Sequence, residues 1–237
     1  MIKRPKRFYK TVQIDELASG HWQVRLDGWG AKTPAGNALD LPTRALAGAI
    51  AAEWDAQTGE IRPETMSLTR LANAAIDRIA AQRQTAVEEL MRFAANDLLC
   101  FRAPAPERLV EVEAAAWDPL LEWLADEYGV LLRTGTCIAA VQQDPDDLGT
   151  LESFLLRFDE FSLAGIVAAA QLLGSAVLAL ALFERRIDPD QAIAAAEVDS
   201  AYQQRVWGED PLLVSRNAKR LFELSVIAQF FGFARAV

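Results

Sequence analysis

The hydrophobic positions at the start of the chain follow the two-residue period of extended strands. Residues 22–26 (WQVRL) alternate between apolar and polar side chains, and residues 8–14 form another extended stretch upstream. The pair Asp27 and Gly28 follows as a turn signal, because both residue types tolerate a positive φ. These features predict a small antiparallel sheet.

After the sheet, the spacing of apolar residues becomes that of a helix. Leu46, Ile50 and Trp54 recur every four residues, and Thr43 precedes them as a predicted N-cap. Further helical stripes follow at residues 68–79, 87–94, 117–128 and 148–158. Most of the chain is therefore predicted to be α-helical.

The change of period predicts an α+β fold, in which a small N-terminal antiparallel β domain precedes a mainly α-helical C-terminal domain. We place the β-containing domain with its following helices at residues 1–95 and the helical domain at residues 96–237. The apolar runs 130–132 and 137–139 flank a glycine and predict a brief return to strand.

Three aspartates mark predicted helix starts. Asp188 and Asp210 each precede a proline, the arrangement of an N-cap acid followed by proline at the first helical position. Gln191 adds the signature of a capping box to Asp188. Asp144 begins an acidic turn, but an EF-hand loop starting there would need a glutamate where Leu155 stands. A helix start is predicted there instead of a calcium loop.

Residues 163–183 are interrupted only by Gln171 and Ser175 and are long enough to cross a membrane. The run is rich in alanine and glycine and lacks the interfacial tryptophan or tyrosine of membrane helices. We predict a buried central helix of a helical bundle and no stable membrane insertion.

Charge and cysteine content limit the partners and the compartment. The net charge is −9, but five of the 24 basic residues lie in the first ten positions, so the remainder carries 19 basic and 33 acidic residues. This acidic balance argues against binding nucleic acid, which needs a basic face. The basic start is either a solvated arm or a partner contact. Two isolated cysteines and no apolar leader favour a cytoplasmic location.

Residue content excludes most catalytic and metal-binding constellations. His21 is the single histidine, so a His-based triad and a multi-histidine metal site are excluded. No phosphate-binding or dinucleotide-binding glycine motif occurs. Cys100 has no histidine to activate it and is a weak candidate nucleophile. We predict no cofactor, no metal and no catalytic residue.

Two tryptophans stand among acidic and amide side chains. Trp54 lies on the apolar stripe of its helix, while Glu53 and Gln57 share a neighbouring face. Trp207 lies at the end of another helix, before a glycine. The polar residues preceding it on that helix are Glu197, Asp199 and Gln203. Both arrangements fit either a protein core or an interface.

Residues 53–57 (EWDAQ), with 61–63 (IRP) and 66–69 (MSLT), resemble a known family. It is the assembly chaperone of the ATP synthase catalytic head that binds the alpha subunit, found in mitochondria and alphaproteobacteria. Other matching segments follow in the family's order, with RFYK at 7–10, DLLCFR at 97–102, WDPLL at 117–121, SLAG at 162–165 and WG at 207–208.

The resemblance implies a chaperone that holds an unassembled alpha subunit and masks its beta-binding surface without nucleotide hydrolysis. A beta subunit then replaces the chaperone by competing for the same interface. The resemblance also implies an N-terminal β-containing domain and a helical C-terminal domain. Since no mitochondrial presequence is present, it suggests a bacterial cytoplasmic member. A chaperone that masks one subunit can act as a monomer.

The resemblance also implies a set of partner-binding residues. An acidic position in the helix before Trp-Gly is important in the family, and both Glu197 and Asp199 fit it. The implied residues are Glu53, Trp54, Asp55, Gln57, Glu197, Asp199, Gln203 and Trp207. Because Trp54 continues the apolar stripe of its helix, we expect the polar residues around it to face the partner.

Two other classes of function stay open at the level of sequence. One is a small-molecule enzyme that uses carboxylates such as Asp97 or Asp199 in a pocket between the domains. A strongly raised carboxyl pKa in a concave pocket would favour it. The other is a membrane factor, for which residues 163–183 are the only support.

Overall fold

The computed structural model describes residues 5–136, 141–208 and 210–235, in which a four-stranded sheet precedes ten α-helices. The predicted α+β fold class is therefore confirmed. The chain divides into two compact units. Unit 1 comprises residues 1–83, 159–165 and 229–237, and unit 2 comprises residues 84–158 and 166–228. The domain boundary placed between residues 95 and 96 stays a prediction.

The sheet lies in unit 1 and is antiparallel. Its strands are β1 Val12–Glu16, β2 Trp22–Leu26, β3 Trp29–Gly30 and β4 Asp40–Leu41. The central strand is β2, which pairs with each of the other three. Asp27 and Gly28 join β2 to β3 with φ angles of 50° and 84°, the positive values that a type I′ hairpin turn requires.

The first strand begins at Val12, so the strand predicted over residues 8–14 is wrong in its first part. The backbone N–H groups of Lys10 and Thr11 donate to the Asp27 carboxylate at 3.0 and 2.8 Å. A side chain therefore takes the donors that a longer ladder would have used.

The first helix, α1 Arg44–Asp55, begins where the sequence predicts. Thr43 Oγ1 accepts the Leu46 N–H at 3.1 Å, so the predicted N-cap is confirmed. Leu46 and Ile50 are fully buried, and α1 packs on β1 and β2. The four-residue apolar stripe thus forms the contact between helix and sheet.

Four further helices follow in chain order, α2 Ser67–Ala74, α3 Arg83–Ala95, α4 Glu107–Tyr128 and α5 Pro145–Leu155. A π-helical turn, Ala75–Ile79, continues α2. Asp144 caps α5 by accepting the Asp146 N–H at 3.0 Å. The helix start predicted in place of a calcium loop is confirmed.

Residues 130–132 do not form the predicted strand. The N–H of Leu131 donates to the Asp147 carboxylate at 3.0 Å, and the N–H of Arg133 donates to Gln143 Oε1 at 2.8 Å. Side-chain oxygens therefore accept the backbone N–H groups that a strand would have paired with a neighbouring strand. The companion run at residues 137–139 lies outside the described residues.

The long apolar run forms two helices, α6 Glu160–Leu173 and α7 Ala176–Phe183, so the prediction of one helix is wrong. Gly174 ends α6 with a φ of 72°, and Ser175 Oγ caps α7 by accepting the Leu178 N–H at 3.0 Å. Every residue of α7 is buried. Among the described residues, no helix combines the length and the apolar character needed to cross a membrane.

The last helices are α8 Pro189–Ala196, α9 Val198–Trp207 and α10 Pro211–Ala234. Asp188 accepts the Gln191 N–H at 2.8 Å, and the Gln191 side chain accepts the Asp188 N–H at 2.9 Å, which confirms the capping box. The Asp210 carboxylate accepts the Leu212 N–H at 2.9 Å, as its predicted cap role requires.

Candidate functional site

The four residues Glu53, Trp54, Asp55 and Gln57, which we call the Trp54 corner, lie in unit 1 at the end of α1. The Glu53 carboxylate accepts the backbone N–H groups of Leu68 and Thr69, each at 2.8 Å. These donors have no partner within α2, and a negative charge is favourable at a helix N-terminus. Glu53 therefore caps α2.

Gln57 is buried, at 4% exposure, and its amide is bonded on both sides. Its Nε2 donates to the Glu53 carbonyl oxygen at 3.0 Å and to Thr65 Oγ1 at 3.2 Å. Its Oε1 accepts the Arg62 N–H at 2.8 Å. The amide closes the loop after α1, an orientation that differs from the outward one predicted by helical spacing.

Arg7 ties the N-terminal segment to this corner. Its guanidinium donates to the carbonyl oxygens of Asp55 and Gln57 at 2.8 and 2.5 Å, and it pairs with the Asp55 carboxylate at 3.2 Å. The sequence left open whether the basic start is a solvated arm or a partner contact. Arg7 is bonded within the chain and is therefore not part of a solvated arm. The Asp55 side chain stays 69% exposed.

Trp54 is half-buried and packs edge-on against Tyr9, with 5.7 Å between ring centroids. The Tyr9 hydroxyl donates to the Trp54 carbonyl oxygen at 2.6 Å. Burial raises the pKa of Tyr9, so its hydroxyl stays a donor at neutral pH. The buried indole N–H of Trp54 has no acceptor within the described part of the chain.

Glu197 in unit 2 is also engaged within the chain. It is 9% exposed and pairs with Arg216 at 2.9 Å and with Arg220. Arg220 donates further to the Leu172 carbonyl oxygen. Burial acts to raise the pKa of Glu197, but the hydrogen bond and charge of Arg220 outweigh it and lower the pKa overall. Glu197 therefore joins the start of α9 to α10 through Arg216 and Arg220.

Asp199 is exposed, in contrast to Glu197. Its carboxyl group neighbours Glu113 of α4, which is 1% exposed and accepts the Ala103 N–H at 2.9 Å. Burial raises the pKa of Glu113, and the nearby Asp199 raises it further. Nothing in the sequence pattern singles out Glu113, because it stands among other acids on α4.

Asp199, Gln203 and Trp207 lie four residues apart on α9 and are all exposed, Trp207 to 84%. Positions at this spacing share one helix face, so we call them the α9 stripe. Further exposed apolar side chains lie close to Trp207 along the chain. With Trp207 they form the apolar tip, which comprises Val206, Trp207, Leu212 and Val214 at 55%, 84%, 80% and 51% exposure.

Residues 6–125 match the family model described as ATP12 chaperone protein. The chain belongs to the ATP12 chaperone family. It is 38% identical to Atp12 from Paracoccus denitrificans, over 98% of this chain and 99% of that one, with a TM-score of 0.91. An aspartate-to-lysine mutant of that Atp12 gives 37% identity, 98% coverage of each chain and a TM-score of 0.92.

A protein from Agrobacterium tumefaciens is 34% identical, over 98% of this chain and 87% of that one, with a TM-score of 0.90. ATP12 membership confirms the family resemblance found in the motifs. It supports a chaperone role in ATP synthase assembly for the chain.

Two side chains with reactive groups, Asp97 and Cys100, are buried in the core. Asp97 is fully buried and accepts the Ser175 hydroxyl at 2.7 Å and the Val177 N–H at 3.1 Å. Burial raises the pKa of Asp97 to about 6 and that of Cys100 to about 12. The Asp97 carboxyl has the raised pKa of a candidate acid, but it is sealed from solvent.

Among the described residues, no group of three or more His, Cys, Asp or Glu side chains could hold a metal ion. Sequence reasoning also missed the contacts of Arg7 and Arg220, which bind carbonyl oxygens distant in sequence. No local pattern could identify these partners.

Proposed function

We propose that this chain holds an unassembled alpha subunit of ATP synthase and masks the surface that a beta subunit later covers. Release is competition between two proteins for one interface, so it needs no nucleotide hydrolysis. One chaperone molecule covers one subunit, as a monomer in the bacterial cytoplasm. Membership of the ATP12 chaperone family supports this proposal, together with the exposed residues of α9.

The α9 stripe is the single observation that carries the proposal. An exposed tryptophan at the end of a helix face, preceded by an amide and a carboxylate on the same face, has the composition of an interface hot spot with a polar rim. Three more exposed apolar side chains, Val206, Leu212 and Val214, lie within seven residues of Trp207 along the chain. An apolar surface of this kind marks protein contact sites.

The implied partner-binding residues divide into two groups under this proposal. Asp55, Asp199, Gln203 and Trp207 offer exposed atoms to the alpha subunit. The other members contact neighbouring residues of their own unit, and they are Glu53, Trp54, Gln57 and Glu197. Asp199 is therefore our candidate for the family's functional acid.

The test is a co-expression pull-down against the alpha subunit, with binding measured for Trp207→Ser and Asp199→Lys. Truncating a central interface tryptophan costs about 2 kcal/mol or more, so we expect Trp207→Ser to weaken binding by at least about 30-fold. Purified protein should also suppress light scattering from an aggregating alpha subunit. Added beta subunit should displace it.

Leu131→Ser is the matched control, because Leu131 is a 65% exposed apolar residue outside the apolar tip. It should bind the alpha subunit like the unaltered protein. The proposal is wrong if the chain neither retains the alpha subunit nor reduces its aggregation. Equal binding by all three variants would instead remove the α9 stripe from the contact.

A further inference from the structure

An open groove beside α4 is a second candidate contact surface of unit 2. Its volume is about 440 Å³. The described residues that line it are Asp118, Leu121, Glu122, Ala125, Asp126 and Leu131. We call it the α4 groove. All of these residues belong to unit 2, and none of them is part of the α9 stripe or the apolar tip.

The apolar part of the α4 groove includes a leucine that stands in water. Leu131 is 65% exposed, although its neighbours Val130 and Leu132 are buried, at 0% and 6%. The Leu131 N–H donates to the Asp147 carboxylate at 3.0 Å, so the backbone is held in this position. A single exposed leucine needs no explanation, but one that lines a groove adds apolar surface to a concave site.

The charged residues that line the α4 groove are all acidic. Asp118, Glu122 and Asp126 lie four residues apart on α4, so they share one face of the helix and extend over about 12 Å of its length. No lysine, arginine or histidine is among the described lining residues. Helix α4 as a whole carries seven acidic residues and one basic residue. The groove therefore attracts positive charge.

Two of the three carboxylates are available to a ligand. Asp118 pairs with Arg102 at 2.7 Å, which partly offsets its charge. Glu122 and Asp126 are exposed, and neither forms an ion pair with a described residue. Because like charges four residues apart on a helix repel each other, a cation close to both would be favourable.

The chemistry of the lining selects among the classes of occupant. No group of three or more His, Cys, Asp or Glu side chains in the described part of the chain could hold a metal ion, so the groove is not a metal site. Nucleic acid and anionic lipid are repelled, because they carry charge of the same sign. A basic side chain of a protein brings a cation together with an aliphatic stem that can lie along Leu131.

We propose that the α4 groove binds a basic segment of another protein. An apolar side chain of that segment packs on Leu131, and its lysine or arginine side chains pair with Glu122 and Asp126. Complementary charge brings the segment to this face, and the apolar contact fixes its position. The residues differ from those of the α9 stripe, so this contact does not depend on the proposed function.

The experiment is a fluorescence anisotropy titration of the labelled peptide Ala-Lys-Ala-Ala-Leu-Lys-Ala-Ala-Leu-Lys-Ala-Ala with the full chain. Its lysines repeat every four residues, as the carboxylates of the groove do. We expect saturable binding with a Kd below about 1 mM. A peptide with glutamate for every lysine should bind at least about tenfold more weakly, and one with serine for every leucine at least about fivefold more weakly.

Charge and apolar contact are also tested separately in the protein. The double variant Glu122→Lys with Asp126→Lys should weaken binding at least about tenfold. Leu131→Ser should weaken it at least about fivefold, because it removes apolar contact but no charge. The matched control is Glu107→Lys with Glu111→Lys, which changes the net charge equally at exposed residues of α4 outside the groove. It should stay within about twofold, because charges more than about 8 Å away are screened at physiological salt.

Several outcomes would overturn the proposal. They are no binding at about 1 mM peptide, equal binding of the lysine and glutamate peptides, and equal losses in the two double variants. A dimer in sedimentation that Leu131→Ser dissociates would assign the groove to a second copy of the chain. Trp207→Ser should bind the peptide normally while losing the alpha subunit, so failure here is distinguishable from failure of the proposed function. Circular dichroism confirms that each variant is folded before titration.

Discussion

The Trp54 corner and the α9 stripe begin from the same residue types and reach opposite arrangements. In the corner, Glu53 and Gln57 are bonded to neighbouring backbone and the tryptophan is half-buried. On α9, the carboxylate, the amide and the tryptophan are all exposed. The difference lies in what surrounds each helix. The helix α1 packs on β1 and β2, and Arg7 of the N-terminal segment binds carbonyl oxygens at its end. On α9, Asp199 neighbours Glu113 of α4, but Gln203 and Trp207 stay exposed. A motif of acid, amide and tryptophan therefore does not by itself define a binding site.

The largest effect on stability is expected at Trp54. Trp54→Arg places a charge against the Tyr9 ring, and we expect it to lower the free energy of unfolding by about 4 kcal/mol. Urea unfolding followed by circular dichroism measures this loss. A change below about 1 kcal/mol would mean that Trp54 is not part of the packing.

The next largest effect is expected at Glu197. Glu197→Lys leaves Arg216 and Arg220 facing a third cation, so we expect a loss of about 3 kcal/mol in unfolding free energy. The same substitution at exposed Asp199 should have little effect on stability. If both variants unfolded at the same urea concentration, the distinction between a structural acid and an exposed acid would be lost.

The pH dependence of the Glu197 pair gives an independent check. Its pKa is lowered in the folded chain, so the folded state binds fewer protons and the pair stabilises the fold above the ordinary pKa of 4.5. This stabilisation is lost as pH falls through the lowered value. The difference in unfolding free energy between the unaltered protein and Glu197→Gln should therefore shrink below pH 4.5 and stay constant above it.

Sequence predicted the features that depend on local spacing. The N-cap at Thr43, the capping box at Asp188 and the helix start at Asp144 are confirmed, because a cap bonds to a residue two or three positions away. The same reasoning failed for residues 8–14, where Asp27 takes two strand donors from a distant position. It also missed the break at Gly174, since alanine-rich helices on both sides hide the boundary.

The candidate site was predicted less completely than the fold. The spacing of Asp199, Gln203 and Trp207 places them on one face of α9, and that face is exposed. The spacing of Glu53 and Gln57 indicated a similar face, but their partners Leu68 and Arg62 lie beyond the end of the helix. Periodicity identifies neighbours on one helix, and exposure depends on every other element packed against it.

A smaller effect is expected at Glu53. Glu53→Ala removes the acceptor for the N–H groups of Leu68 and Thr69, so we expect a loss of about 2 kcal/mol in unfolding free energy. Glu53→Gln keeps an acceptor oxygen and should recover part of this loss. Hydrogen exchange at Leu68 and Thr69 provides the local measurement. Unchanged protection of both amides in Glu53→Ala would show that the cap is dispensable.

The smallest effect on stability is expected at Trp207, and it completes the comparison. Because the side chain is 84% exposed, Trp207→Arg removes little packing and should change the unfolding free energy by no more than about 0.5 kcal/mol. The same substitution that disrupts the Trp54 corner should thus leave the fold intact here. The pull-down of the alpha subunit should nevertheless fail, because arginine cannot replace the apolar surface of the indole. A large loss of stability would mean that Trp207 packs within the chain in solution, and the α9 stripe would then be a second structural corner.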